Sequence, residues 1–315
     1  VLPSGFYRQK NIVTQVPDAK DFATATAPLC AGPNPEIGGP SRYRVPAGAV
    51  DTHAHVLGLP PRYPLQPDRS YTAPEATPAS YLDMLDKTGM TYGVLVQPSV
   101  HGTDNRLAEE TIVANKERLR GVAVVSPDIG ENELARLNDA GFRGCRFNIM
   151  FGGGIGLAAI DTLARKIAPF GWHMQFLMDV RKIGEVAKQF ASLPVPWVVD
   201  HMGYVPASEG VENAGFQTLL SLLKDGNGWV KLSGAFRVST AGAPYRDTIP
   251  FARALVEARP DRMVWGSDWP HVAIPPPMPK IGDLLDLFAE WVPDETTRKR
   301  VFVDNPHRLY GFAAS

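Results

Sequence analysis

The fold turns on the stretch Val50-Asp51-Thr52-His53-Ala54-His55-Val56-Leu57-Gly58. Its apolar lead reads as a strand over 49–53, ending in a turn that carries two imidazoles. An open, doubly wound sheet usually follows its first strand with a glycine-rich turn that cradles phosphate. Here that turn is Thr52-His53-Ala54-His55, with histidines where a phosphate site needs glycines. Seven more runs rich in Val, Ile, Phe and Trp follow, at 91–97, 121–125, 144–148, 172–178, 197–201, 229–232 and 263–265. Helical patterns separate them, at 79–88, 103–118, 131–140, 157–168, 181–191, 213–224 and 245–258, and two more, 283–291 and 296–310, follow the last strand. The spacing of Leu157, Ile160, Leu163, Ala164 and Ile167 is that of an amphipathic helix. Eight strands alternating with helices over about 260 residues is the arithmetic of an α/β protein of the (β/α)8, or TIM, barrel type.

Composition narrows the classes. The chain has 315 residues, 32 of them basic and 33 acidic, for a net charge of −1, which argues against a nucleic-acid binder that works by neutralising phosphates. Hydrophobic residues make up 44%, enough for a large core and too many for disorder. Two cysteines, Cys30 and Cys145, cannot make a disulfide framework and point to a reducing, cytoplasmic compartment. No apolar run approaches the roughly 18–20 residues that span a bilayer. Residues 1–10 lack the charged-then-apolar pattern of a signal peptide. Of the 29 prolines, 13 precede residue 80, and Pro275, Pro276, Pro277 and Pro279 form a second cluster. Residues 1–48 therefore read as an irregular, proline-rich arm, pinned by Phe6, Tyr7, Ile12, Val13, Phe22 and Tyr43, and 49–315 as the barrel.

Six of the seven histidines fall in or just beyond a predicted strand, and the carboxyl ends of barrel strands form the active face. His53 and His55 alternate at the end of the first strand, so both rings can face the barrel mouth, and imidazole is a usual ligand of zinc-like ions. The plainer reading is two polar residues that end a strand. His201 follows the apolar run of strand six and precedes Met202-Gly203; it is either a cleft residue or a core histidine satisfied by a carbonyl. Asp200 beside it either supports a ligand or caps the next helix. Asp268 lies among small and apolar residues at the end of strand eight, where an idle carboxylate is costly to bury. It can ligate a metal, act as a base, or merely cap a loop.

Taken together, VDTHAHVLG (50–58), VQPSVHGTDN (96–105), GCRFN (144–148), VVDHMG (198–203), KLSGAFR (231–237) and VWGSDWPH (264–271) resemble the amidohydrolase superfamily. They are most similar to the branch that contains 2-pyrone-4,6-dicarboxylate lactonase and 4-sulfomuconolactone hydrolase. The motifs run through most of the barrel, and they specify the branch better than the substrate. The resemblance implies a distorted (β/α)8 barrel that hydrolyses a lactone. It places the metal and catalytic positions on His53, His55, His201 and Asp268, with Asp268 activating the water. Other branches bridge two metals with a lysine at the end of strand four. Here that region reads Arg146-Phe147-Asn148, so a single zinc ion is expected, with metal-free hydrolysis as the alternative.

Arg146 and Arg237 are candidates to grip a carboxylate or sulfonate. Ser99, His101, Tyr71, Tyr204, Asn148 and Gln175 complete the candidate substrate-binding set. Asp104 and Asn105 read as caps of the helix after strand two, and His173 as facing the opposite, stability-related end. Tyr204 stands where the dicarboxylate lactonase resembles an arginine site, and Phe151-Gly152-Gly153-Gly154 where it carries a basic loop. Fewer cations favour a small muconolactone-type substrate, such as 4-sulfomuconolactone, over a pyrone dicarboxylate. A sugar-lactone isomerase, an aromatic-acid decarboxylase and a non-catalytic binding barrel are the other readings. A homo-oligomer stays open.

Overall fold

The computed structural model describes residues 18–148, 150 and 159–313. Phe6, Tyr7, Ile12, Val13, the Phe151–Gly154 loop and the start of the 157–168 helix lie outside the described residues. The apolar runs form eight strands: β1 Val50–Ala54, β2 Tyr92–Val96, β3 Leu119–Ala123, β4 Phe142–Asn148, β5 His173–Leu177, β6 Trp197–Val199, β7 Gly228–Leu232 and β8 Met263–Trp265. Each pairs in parallel with the next, in the order β1 to β8. A bridge between Ala54 and Trp269 brings the two ends together, and Thr52 Oγ1 donates to the Trp265 carbonyl at 2.8 Å. Both faces of such a sheet are covered, so β1, β5 and β7 are buried at every residue.

Helices fill the crossovers: α1 Pro78–Thr88, α2 Arg106–Ala114, α3 Glu131–Ala140, α4 Ile160–Ile167, α5 Ala187–Ser192, α6 Ala214–Asp225, α7 Ala235–Val238 and α8 Ile249–Ala258. After β8 come α9 Ile281–Trp291, α10 Glu295–Lys299 and α11 Asn305–Tyr310. Local chemistry sets their ends. For α1, Thr77 Oγ1 accepts from the Ser80 amide at 3.1 Å, Pro78 opens the first turn, and Gly89 closes the last at φ 80°. The stripe Ile160, Leu163, Ala164 and Ile167 is buried, each large side chain contributing about 1.5–3 kcal/mol against the barrel.

Some predicted helices are shorter or divided. The 103–118 pattern becomes helix only from Arg106, because Asn105 is engaged elsewhere: its Nδ2 donates to the Val124 carbonyl (2.8 Å) and its Oδ1 accepts from the Val124 amide (3.1 Å). Asn105 therefore clamps the end of β3 rather than capping α2. The 181–191 pattern divides into a 3-10 turn, Val180–Glu185, and α5, while a π turn, Arg300–Asp304, interrupts 296–310.

The described part of the arm lies along its own barrel. Leu29 bridges to Thr72, the Cys30 amide donates to the Thr72 carbonyl (2.7 Å), and the Ala273 amide donates to Cys30 Sγ (3.3 Å). Farther along, Ser41 Oγ donates to Asp286 (2.6 Å) and the Tyr43 hydroxyl to the Leu285 carbonyl (3.0 Å), both on α9. The arm thus ties the loop after β1 to the loop after β8. No helix among the described residues is long and apolar enough to cross a membrane.

Candidate active site

The first strand is anchored from below before it presents its histidines. The buried Asp51 accepts from the Ser267 amide (2.8 Å) and hydroxyl (2.7 Å) and from the His53 amide (3.2 Å). Burial raises its pKa to about 6 against the Ser267 hydrogen bonds. The Asp268 amide donates to the His53 carbonyl at 2.8 Å, so the β8 loop and β1 are one unit. The β1–β2 register shifts between Asp51 and Ala54, an irregularity of the kind that re-aims side chains beside sites. Asp268 itself sits at φ 60° and His201 at φ 52°, left-handed conformations that cost non-glycine residues of order 1–3 kcal/mol.

These elements bring His53, His55, His201 and Asp268 together. The Nε2 atoms of the three imidazoles lie 3.7, 3.7 and 3.8 Å from one carboxylate oxygen, Asp268 Oδ1. Each ring is held from its far nitrogen. His55 Nδ1 donates to the Val96 carbonyl (2.7 Å), which leaves a lone pair on its Nε2. His201 Nδ1 is paired with Ser233 Oγ at 2.9 Å, and His53 Nδ1 lies 3.3 Å from Asp200 Oδ1. Burial pushes His53 and His55 below the usual histidine range and His201 down to about 4, so all three are neutral near pH 7. Burial opposes ionisation of Asp268, but the Arg237 guanidinium outweighs it and holds the carboxyl well below the usual range.

The donor set fits one divalent ion. His53 Nε2 and Asp268 Oδ1 are buried without a hydrogen-bond partner, and the lone pair of His55 Nε2 faces that same anionic oxygen. Lone pairs converging on a carboxylate need a cation or a proton between them. The groups His53–His55–Asp268 and His53–Asp200–His201 each hold ligand atoms within 4.8 Å of one another. Imidazole nitrogen with carboxylate oxygen is a zinc-like set.

Above this cluster lies a narrow pocket. Nine of the twelve candidate residues line it: His55, Tyr71, Ser99, Arg146, Asn148, His201, Tyr204, Arg237 and Asp268. His53 lies directly beneath. Two candidates sit elsewhere. Gln175 is fully buried under the pocket, its amide spent on Asp200 Oδ2 (3.1 Å) and Lys231 Nζ (2.8 Å). His101 is a strut of the loops: Nδ1 is 3.0 Å from the Pro64 carbonyl and Nε2 accepts from the Gly58 amide at 3.3 Å.

The arginines differ in what they have free. Arg237 is buried, not a surface charge, and its Nε donates to Asp268 Oδ2 (2.6 Å), Nη1 to the Tyr204 hydroxyl (3.2 Å) and Nη2 to the Val272 carbonyl (2.9 Å). Among the described residues, Arg146 donates only Nη1, to the Gln97 carbonyl (3.2 Å), with Nη2 3.6 Å from Asp200 and Nε without a partner. Asp200 makes no side-chain helix cap and stands behind His53. Lys231 went unrecognised in the sequence; burial lowers its pKa to about 8 against the pull of Asp200. Its one signal was a lysine inside the apolar run Trp229-Val230-Lys231-Leu232.

Comparison with known proteins agrees with this geometry. The amidohydrolase family model matches residues 50–312. The 4-sulfomuconolactone hydrolase of Hydrogenophaga intermedia is 34% identical over 297 residues, covering 93% of this chain and 98% of that protein. The 2-pyrone-4,6-dicarboxylate hydrolase of Comamonas testosteroni is 37% identical over 286 residues, 85% of this chain and 92% of its own. A crystal structure of a probable 2-pyrone-4,6-dicarboxylic acid hydrolase from Acinetobacter baumannii, with citric acid bound, superposes with a TM-score of 0.75 at 29% identity, covering 84% of this chain and all of the other. With eight parallel strands, a family match over nearly the whole barrel and relatives aligned almost end to end, this chain belongs to the amidohydrolase family.

Proposed function

We propose that this chain is a lactonase that hydrolyses a small anionic lactone of the muconolactone type, with 4-sulfomuconolactone as the first compound to test. One observation carries the reading: three neutral imidazoles and one ionised carboxylate converge at the floor of a pocket whose wall holds a partly free guanidinium, Arg146. Residues 49–315 form the catalytic barrel in this reading, with 1–48 as its arm.

His53, His55, His201 and Asp268 would hold one zinc ion, which when bound polarises a carbonyl and lowers the pKa of water. The remaining chemistry belongs to the side chains. Arg146 grips the remote carboxylate or sulfonate of the substrate, so that binding energy becomes orientation. Arg237, fixed on Asp268 Oδ2, leaves Oδ1 as the face presented to the pocket. Asp268 Oδ1 takes a proton from water as its oxygen bonds to the acyl carbon. The acyl carbon–ring oxygen bond then breaks, and the same proton passes from Asp268 to the departing oxygen, giving an open-chain acid. The phenol of Tyr204, held by Arg237, closes one side of the pocket.

The test is a screen of 4-sulfomuconolactone, muconolactone and 2-pyrone-4,6-dicarboxylate, with and without chelator, alongside elemental analysis of the protein. Hydrolysis adds the mass of one water and releases no carbon dioxide. A product of unchanged mass would make the chain an isomerase, and released carbon dioxide a decarboxylase. One zinc per chain with chelator-sensitive turnover supports the metal assignment; full turnover in metal-free protein overturns that part alone.

A further inference from the structure

The hydrolytic scheme leaves one buried charge unused. Lys231 is the penultimate residue of β7, and its ammonium is sealed beneath the pocket, with no solvent exposure of the side chain. Its Nζ donates to the Thr52 carbonyl and to Gln175 Oε1, both at 2.8 Å. It also stands 3.3 Å from His53 Nδ1 and 3.6 Å from Asp200 Oδ1. Two of its three protons are thus fixed, and the remaining neighbours of the ammonium are His53 Nδ1 and Asp200 Oδ1.

Asp200 is the other half of this unit. Gln175 Nε2 donates to its Oδ2 (3.1 Å) and Arg146 Nη2 approaches the same oxygen (3.6 Å). Its Oδ1 faces His53 Nδ1 (3.3 Å) and makes no hydrogen bond of its own. Asp200 also belongs to a second group that could hold a cation, His53–Asp200–His201, which shares His53 and His201 with the first set. That group already has a cation against its carboxylate, the lysine ammonium. A buried ammonium and a buried carboxylate are each costly to desolvate, and removing one partner leaves the other uncompensated.

We propose that Lys231 is a built-in cation, an ammonium fixed where a second divalent ion would otherwise sit, which neutralises Asp200 and so keeps the His53 ring turned with Nε2 towards Asp268. The proposal rests on taking His53, His55, His201 and Asp268 as the hydrolytic centre. It makes Lys231 a positioning residue, one that acts through Asp200 and His53 and touches no substrate.

The test compares wild type, Lys231→Met and the double variant Lys231→Met/Asp200→Asn, each stripped of metal and titrated with Zn²⁺ alone. Binding is read by calorimetry, by elemental analysis after dialysis and by the thermal midpoint. Lys231→Met should take up one more zinc per chain than wild type. The double variant, which lacks the carboxylate that demands a cation, should take up the same number as wild type. Turnover of Lys231→Met should fall roughly 10- to 100-fold in kcat, with KM nearly unchanged. A folded Lys231→Met with wild-type stoichiometry overturns the proposal, and so does an extra zinc in the double variant. If Lys231→Met is unfolded without metal, Zn²⁺ must restore its circular dichroism and thermal transition, and failure to do so also overturns it. The stoichiometry uses no lactone, so an inactive wild type would sink the lactonase reading and leave this result standing.

Discussion

At the scale of single residues, Asp268 and Arg237 have to be understood as a pair. Arg237 Nε lies 2.6 Å from Asp268 Oδ2, and both side chains are buried. The pairing keeps Asp268 ionised, as the proposed reaction requires of a proton acceptor at Oδ1. Asp268→Asn preserves the shape and removes the acceptor, so kcat should fall by roughly 10²- to 10⁴-fold while the Kd for a substrate or product analogue changes little. Near-normal turnover in that variant would remove Asp268 from the reaction. Arg237→Met tests the other half. Burial raises the Asp268 pKa and Arg237 is the chief force lowering it. Without the guanidinium, the pKa climbs and the proton-accepting form is lost at a higher pH than in wild type. The acid limb of kcat/KM should therefore move towards neutral pH; an unmoved limb would mean that another group sets the charge state of Asp268.

At the scale of elements, the turns after strands position the site, and β7–α7 is the clearest case. Gly234 adopts φ 65°, and a Cβ added there would lie 2.8 Å from His201 Nδ1. Gly234→Ala meets both a left-handed backbone, worth about 1–2 kcal/mol, and a collision with the ring it supports. The variant should keep its far-ultraviolet circular dichroism and lose kcat, because His201 is pushed off its 2.9 Å contact with Ser233. A variant with unchanged kcat would show that His201 tolerates displacement. The same elements mark what a sequence discloses. All eight strands were legible because buried parallel strands are continuous apolar runs, and His53, His55, His201 and Asp268 stood out as polar residues at their ends. Which way a strand residue points was not legible. Gln175 read as a substrate-binding residue and Lys231 as an ordinary strand position, and only the closed barrel buries both beneath the pocket, where they meet at 2.8 Å. Likewise, Asn105 has the composition of a helix cap, but contact with β3, 19 residues away, decides its use.

At the scale of the whole molecule, burying the site couples the barrel's stability to pH. Six imidazoles, those of His53, His55, His101, His173, His201 and His271, are pushed below the usual histidine range chiefly by burial. His173 falls to about 3, and His201 and His271 to about 4. In the unfolded chain each takes a proton near pH 6.5, so between these values the unfolded state binds more protons than the folded one, and stability declines as pH falls. Asp51, raised to about 6, acts in the opposite sense between its unfolded value and 6, and offsets one histidine. The carboxyls of Asp200 and Asp268, both held low, add their own loss only in more acid solution. The net expectation is a barrel whose unfolding free energy in urea drops steadily from pH 6.5 to 4. His173 isolates one contribution, because it lies at the start of β5, away from the imidazole cluster, with its ring 5.2 Å from that of Tyr310. His173→Leu removes a proton-uptake site from the unfolded state. The slope of stability against pH between 4.5 and 6 should then fall by up to about 1.4 kcal/mol per pH unit. An unchanged slope would mean that His173 is protonated in the folded barrel, which its burial, and then the charge of the Lys231 ammonium, argue against.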